Sequence, residues 1–176
     1  MRRFGPGRRG QFVLLAGVVV AIALVGMLTA YLQLGYRGDV GADDVDDRLA
    51  DGRAYLDRAT HEAARAIRGE HDWSERGPAV TAVRVRLRSR LGTLERARVD
   101  RGVAYSVVFN RSAAREWAGA HCPHGRARQF GDCEADRGVV VQERDGRTLV
   151  LAVAYDLSVT TDAGETRLVT VVNATG

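Results

Sequence analysis

The chain has 176 residues, of which 26 are Lys or Arg, 22 are Asp or Glu and four are His, so its formal net charge is +4. A hydrophobic content of 45% excludes a disordered or collagen-like chain, and 27% charged residues exclude a protein made mainly of membrane spans. The basic balance would suggest a nucleic-acid partner. We expect none, because the whole excess comes from four arginines in residues 1–10, and residues 11–176 carry 22 Arg against 22 acidic residues.

An uncharged stretch follows this basic tip. Residues 11–36 contain no charged residue, and most of them belong to the run FVLLAGVVVAIALVGMLTAYLQL. About 20 apolar residues are enough for a helix to cross a bilayer, so the sequence predicts a transmembrane helix over 11–36. The basic tip on one side and an acidic cluster on the other predict that residues 1–10 are cytoplasmic and that residues 37–176 form an extracytoplasmic domain. The lipid bilayer is then a partner of a single-pass protein in the cell membrane.

Two kinds of processing fit this segment. A secretory signal peptide is one, although its apolar region is usually about 7–15 residues, which is shorter than this run. The other is removal of a leader by cleavage next to the apolar helix. The chain begins with a basic leader that ends in Gly10, and Gln11 and a long apolar helix follow. This arrangement resembles the leader of type IV pilin precursors, particularly archaeal ones. The resemblance implies that a membrane peptidase cuts between Gly10 and Gln11 and leaves the helix on the mature subunit as anchor and assembly spine. Bacterial-type pilins have Glu at the fifth mature position, where this chain has Leu15.

The rest of the chain is predicted to begin with helices. Gly35, Gly38 and Gly41 predict a flexible joint just outside the membrane. Apolar residues at steps of three and four then predict an amphipathic helix over about 44–68, which Gly69 closes.

A second helix is predicted over 78–94, although part of this segment alternates as a strand does. Its apolar face consists of Val80, Val83, Leu87, Leu91 and Leu94. The same segment carries arginines at alternate positions, namely Arg84, Arg86, Arg88 and Arg90. Such a run can bind a polyanion, but we favour a solvated face, because equal opposing charge lies elsewhere in the chain.

The C-terminal part predicts an antiparallel sheet. The expected elements are strands at 103–109, 138–143, 149–161 and 166–172, a short helix at 110–119 and irregular structure at 120–137. Asp145-Gly146 is a type I′ hairpin signal, so we expect the last three strands to form a meander, with the first strand added at one edge. On the long strand the expected core face carries Leu151, Val153, Tyr155, Leu157 and Val159. The predicted fold is α+β, with an N-terminal transmembrane helix followed by helices packed on a four-stranded antiparallel sheet, as in pilins.

Cys122 and Cys133 are the two cysteines of the sequence. Outside the cell they can form a disulfide, which would close the irregular segment and contribute about 2–3 kcal/mol. His121 and His124 flank Cys122, so the four side chains are an alternative zinc site, although adjacent ligands have poor spacing. Free thiols are a third alternative, and we favour the disulfide.

Both asparagines of the sequence begin a glycosylation sequon, Asn110-Arg111-Ser112 and Asn173-Ala174-Thr175. Both lie in the part assigned to the outside of the cell. We therefore predict glycosylation of Asn110 and Asn173, although Asn before Ser is also an ordinary helix cap.

The sequence motifs predict no catalytic, cofactor or metal site. The sequence contains no nucleophile elbow, phosphate loop, HExxH pattern or Ser-His-Asp order. His61 and His71 are isolated, and the acidic cluster lacks the spacing of a calcium loop. We therefore expect a protein that is not an enzyme and has no cofactor.

Several segments of the chain together carry a resemblance to a known family. They are RRGQFVLLAGVVVAIALVGMLTAYLQLGY, the acidic patch after it, the helix pair, HCPHG…GDC and the terminal meander. This pattern resembles an uncharacterised haloarchaeal family of pilin-like single-pass membrane proteins. The resemblance implies an architecture and a location but no activity.

The leading hypothesis from the sequence is a minor pilin, or an accessory subunit of a surface filament or secretion assembly. Its partners would be other pilin-like single-helix subunits. The alternative is a non-polymerising binding or sensor module on the cell surface. A third hypothesis is an anchored enzyme that uses the Cys/His cluster.

Overall fold

The computed structural model describes the backbone of residues 7–97, 99, 102–125 and 130–175, and the side chains of the same residues except 7–15 and 32–44. The chain divides into two compact units, Met1–Asp44 and Val45–Gly176.

The first element is a helix, α1, which spans Gly7–Arg65. Its backbone is helical through Gly35, Gly38 and Gly41, so these glycines do not interrupt the helix as predicted, and no separate helix begins near residue 44. The physical reason is that glycine weakens a helix by about 1 kcal/mol relative to alanine but still makes the backbone hydrogen bonds. The helix ends at Arg65, which is earlier than the predicted end at about residue 68. The chain continues in tight turns, and Gly69 in these turns adopts a φ of +78°.

The described side chains of the first unit are those of residues 16–31, and all of them are exposed. Within the part of the chain whose side chains are described, no helix is both long enough and apolar enough to span a bilayer. The predicted transmembrane segment 11–36 lies only partly within that part, and residues 1–6 of the predicted leader lie outside the described residues altogether.

The described part of the second unit adds two helices and five strands to the end of α1. In chain order they are α2 (Arg76–Arg96), β1 (Ala104–Phe109), α3 (Arg111–His121), β2 (Phe130–Asp136), β3 (Val139–Arg144), β4 (Arg147–Thr161) and β5 (Gly164–Asn173). The α+β class is confirmed. So are α2, α3 and four of the strands. The turn at Asp145-Gly146 is confirmed as well, because both residues have positive φ, 52° and 71°.

The sheet has five strands where four were predicted. The additional strand is β2, in a segment that was assigned to irregular structure. It pairs antiparallel with β3 from Phe130↔Arg144 to Asp136↔Val139. Its sequence, FGDCEAD, contains few residues that favour strands, so pairing with β3 and not local propensity gives it its conformation.

The long strand β4 is the centre of the sheet. One edge of β4 pairs with β3 along its N-terminal half and with β1 along its C-terminal half, whereas β5 pairs along the other edge. The ends of β1 and β3 meet at Ala154. Its N–H donates to the Gly138 carbonyl at 2.9 Å, and its carbonyl accepts from the Asn110 N–H at 2.9 Å.

The main core lies between one face of the sheet and the last turns of α1 together with α2. The helix side chains in it include Leu56, Ala59 and Ala63 of α1 and Val80, Val83, Leu87, Leu91 and Leu94 of α2, and Ile67 joins them from the turns after α1. The predicted core face of β4 is confirmed from Val153 to Val159 and is wrong at Leu151. A β-bulge shifts the register between Val140 and Val141, so Val150 faces the main core and Leu151 faces the other side.

A second, smaller core covers part of the opposite face. Ala114 and Ala118 of α3 pack there against Leu151, Ala152 and Ala154. Because these contacts involve mostly alanine, the helix can lie close to the sheet. Towards the C-terminal end of β4 that face is open. Val108 on β1 and Val169 on β5 both pair with Asp156 there and are exposed (59% and 55%).

Candidate functional site

The two cysteines form a disulfide in the structure. Cys122 directly follows α3 and Cys133 lies in β2, with the sulfur atoms 1.98 Å apart and the Cα atoms 5.8 Å apart. The disulfide prediction is confirmed. The zinc and free-thiol alternatives are wrong, because each sulfur is bonded to the other and is not available as a thiolate ligand. Nor do the described residues contain a cluster of three His, Cys, Asp or Glu side chains that could hold a metal ion.

A buried glutamine holds the chain segments around the disulfide. Gln142 is fully buried, and its amide nitrogen donates to the carbonyls of Pro123 and Gly131, each at 2.9 Å. Its amide oxygen accepts from Arg144 Nε at 3.1 Å. These bonds satisfy polar groups that would otherwise be buried without a partner. Sequence reasoning missed Gln142, because a polar residue in a strand looks like a surface residue.

The two sequon asparagines occupy different environments. Asn110 is half-buried and caps α3, with its Oδ1 accepting from Ala113 N at 2.8 Å and its Nδ2 donating to Asp156 Oδ1 at 2.7 Å. Asn173 is exposed at the end of β5. The amide nitrogen to which a glycan is linked is therefore engaged in Asn110, so Asn173 is the more accessible acceptor.

The processing residues Gly10 and Gln11 both lie in the helical backbone of α1. The predicted cleavage between them stays a prediction.

The arginine pocket is a concave surface of the second unit with a volume of about 500 Å³. It is lined by Arg84 and Arg88 of α2, Arg111 at the start of α3 and Arg137 in the β2–β3 turn, together with Leu91, Glu95, Val107, Val108 and Phe109. Three separate elements thus bring four guanidinium groups to one cavity. We use the name arginine pocket for this set of residues.

Two of these arginines are fixed by protein contacts. The Arg84 guanidinium lies 4.0 Å from the Phe109 ring centroid and donates to the Arg137 carbonyl. Arg137 donates from Nε to Asp136 Oδ2 at 2.9 Å and from a terminal nitrogen to the Thr81 hydroxyl at 3.0 Å. These contacts hold both groups at the wall of the cavity.

The other two arginines extend into solvent. Arg88 and Arg111 are exposed, and among the described residues neither makes a hydrogen bond or ion pair. By contrast, Arg90 on the same helix pairs with Glu62 at 2.8 Å. The arginine run of α2 therefore divides. Arg84 and Arg88 line the arginine pocket, whereas Arg86 and Arg90 are exposed and do not line it.

Positive charge dominates the arginine pocket. Burial lowers the pKa of Arg84, and the neighbouring charges of Arg88, Arg137 and Arg111 lower it further, whereas Asp136 raises it. The one carboxylate in the lining, Glu95, accepts a hydrogen bond from the Val107 N–H at 3.3 Å. The negative charges of Glu95 and Asp136 therefore do not fully offset the repulsion among the four guanidinium groups.

A family model matches residues 6–173, and its description is a family of unknown function, DUF7261. The chain belongs to this family. No curated protein and no solved structure matches the chain.

For this member of DUF7261, sequence reasoning singled out two of the four arginines of the pocket, Arg84 and Arg88, but within a run for which we favoured a solvated face over a polyanion site. The spacing of Arg84 and Arg88, one helical turn apart, was a usable signal, because residues at i and i+4 share a helix face. Arg111 and Arg137 carried no such signal. Arg137 in particular reaches the cavity through the turn after β2, and β2 was not predicted.

Proposed function

We propose that the protein is a membrane-anchored, extracytoplasmic, pilin-like subunit that serves as a minor pilin or an accessory subunit of a surface filament or secretion assembly. The N-terminal part of α1 is the anchor, and residues 37–176 form the extracytoplasmic domain. The protein acts through contacts with other single-helix subunits and not as an enzyme.

The observation that carries this proposal is the exposed apolar surface of the first unit. Residues 16–31 carry no charge. The exposed fraction of their large apolar side chains ranges from 57% at Val18 and Val20 to 76% at Tyr31. Leaving one such side chain in water costs about 1.5–3 kcal/mol relative to burying it, so a surface of this kind needs a bilayer or neighbouring helices around it.

The second unit supports the proposal in a different way. It has its own core and is cross-linked by the Cys122–Cys133 disulfide. Disulfides are typical of domains that fold outside the cytoplasm. The open half of its sheet, with Ser106, Ser158 and Arg167 around a shallow cavity of about 360 Å³, is a surface that can contact other subunits.

Membrane extraction tests the anchor. We expect the full chain to stay in the membrane fraction after an alkaline carbonate wash and to dissolve in a non-ionic detergent. The double substitution Ile22→Arg with Val25→Arg places two charges in the apolar run and should release the chain, because each charge at the centre of a span costs about 2.5–3.5 kcal/mol. Val169→Arg, which changes an exposed valine of the second unit, is the matched control and should remain in the membrane. Release of the unaltered chain by the carbonate wash would refute the proposal.

A second candidate function is a cell-surface binding module that does not polymerise. The arginine pocket favours it, because a concave site with unpaired cations is a feature of ligand binding. Leu15 favours it as well, since the glutamate of bacterial-type pilins is not present at that position. Co-purification separates the two functions: a pilin-like subunit should bring down other single-helix proteins, and a solitary binding module should not.

A further inference from the structure

The arginine pocket has unused hydrogen-bonding capacity. A guanidinium group carries five N–H donors, and a bidentate contact with a carboxylate or phosphate uses two of them. Arg88 and Arg111 use none of theirs on described protein acceptors, and the hydrogen bond to the Arg137 carbonyl is the one described for the Arg84 guanidinium. Unused donors on two elements, α2 and α3, are thus available at one cavity.

The charge of the arginine pocket is local. Residues 11–176 carry equal numbers of Arg and acidic residues, so the concentration of four arginines is not a consequence of a basic domain. Asp136 forms an ion pair with Arg137, and Glu95, which lines the pocket, accepts a hydrogen bond from the Val107 N–H. An entering anion would therefore relieve repulsion without first breaking an ion pair of Arg88 or Arg111.

The size and lining of the cavity indicate the kind of anion. About 500 Å³ is within the usual range of small-molecule sites and exceeds the volume of a single phosphate or acetate ion. Leu91, Val107 and Phe109 form apolar parts of the wall between the cations. A ligand with two or more oxyanion groups on a small body can contact several guanidinium groups at once.

We propose that the arginine pocket binds a compact polyanion that carries at least two phosphate, sulfate or carboxylate groups. Arg84 and Arg137 form the fixed wall of this site. Arg88 and Arg111 close on the ligand from α2 and α3. This proposal goes beyond the proposed function and does not depend on it, because the site belongs wholly to the second unit.

The test uses the full chain in non-ionic detergent at low ionic strength, with calorimetric titration of two probes, inorganic pyrophosphate and citrate. We expect at least one of them to bind, and to bind more tightly than the monovalent anion acetate. Preference for pyrophosphate assigns the site to phosphate-type ligands, and preference for citrate assigns it to polycarboxylates. Absence of binding by both probes up to about 10 mM would overturn the proposal.

A matched pair of double variants shows whether binding takes place in the arginine pocket. Arg88→Ala with Arg111→Ala should weaken binding of the probe at least about tenfold for each arginine removed. Arg86→Ala with Arg115→Ala removes the same charge from exposed positions of the same two helices, and should weaken binding less than about threefold. All four positions are exposed, so we expect both double variants to fold. Equal losses in the two double variants would mean that net charge and not this cavity attracts the anion, which would also overturn the proposal.

Discussion

One buried hydrogen bond joins α1 to the centre of the sheet. The hydroxyl groups of Thr60 in α1 and Tyr155 in β4 lie 2.7 Å apart, and both side chains are fully buried. Burial raises the pKa of the Tyr155 hydroxyl well above its ordinary value, so the group stays protonated near neutral pH and the hydrogen bond is present there. Removing the hydroxyl groups singly and together measures how firmly α1 is attached to the sheet.

The expected magnitudes follow from the burial of both groups. Tyr155→Phe and Thr60→Val each leave one buried hydroxyl without a partner, so each should lower the free energy of unfolding by about 1–3 kcal/mol. The double substitution removes both polar groups at nearly constant volume. It should therefore cost less than the sum of the single losses, with a coupling energy of about 1–2 kcal/mol.

Urea unfolding of the full chain in non-ionic detergent, followed by circular dichroism, measures these values. Tyr55→Phe is the control, because the hydrogen bond that the Tyr55 hydroxyl of the same helix donates to the Arg90 carbonyl at 3.0 Å is exposed to solvent. It should change the free energy of unfolding by less than about 0.5 kcal/mol. If the losses at Thr60 and Tyr155 add to within about 0.3 kcal/mol, the two groups are not bonded and the reasoning is refuted.

Three further predictions concern single features of the second unit. Replacing Cys122 and Cys133 together by Ser should lower the free energy of unfolding by about 2–3 kcal/mol, and a reducing agent should have the same effect on the unaltered chain. At Gly52 an added Cβ would lie 3.0 Å from Leu157 Cδ2, so Gly52→Leu should destabilise the chain by about 1–3 kcal/mol or more through overpacking. Asn110→Ala removes the cap of α3 and should cost about 1 kcal/mol.

Each of these predictions has a control that leaves the surrounding structure unchanged. A reducing agent should not affect the stability of the Cys122→Ser, Cys133→Ser double variant. Gly119→Ala should stabilise α3 by up to about 1 kcal/mol, because apart from its chain neighbours and the local helix backbone no described atom lies within 4 Å of an added Cβ there. Asn173→Ala, at an exposed position, should alter unfolding by less than about 0.5 kcal/mol. Urea unfolding measures all of them, and an Asn110→Ala loss no larger than that of Asn173→Ala would contradict the capping role.

Local patterns in the sequence were sufficient to predict those elements whose own residues carry the periodicity or the turn motif. The face of α2 from Val80 to Leu94 repeats every three or four residues, and Asp145-Gly146 matches the turn that joins β3 to β4. The pairing of Cys122 with Cys133 followed from their number and their expected location. These predictions needed no knowledge of distant parts of the chain.

Elements that depend on partners far along the chain were not predictable in the same way. β2 forms because β3 lies beside it and because Cys133 is tied to the end of α3. The bulge at Leu151 reverses the alternation of β4, and a one-residue shift is not visible in a run of apolar residues. The arginine pocket depends on both the α2 register and the turn after β2, so half of its cations could not be placed from the sequence.

The N-terminus of the mature protein tests the proposed pilin-like identity most directly. Mass spectrometry or Edman sequencing should be applied to the chain isolated from the membranes of cells with an active prepilin peptidase. We expect the mature chain to begin at Gln11, because cleavage after Gly10 leaves the apolar helix on the subunit. A mature chain that still begins at Met1 in such cells would contradict the account.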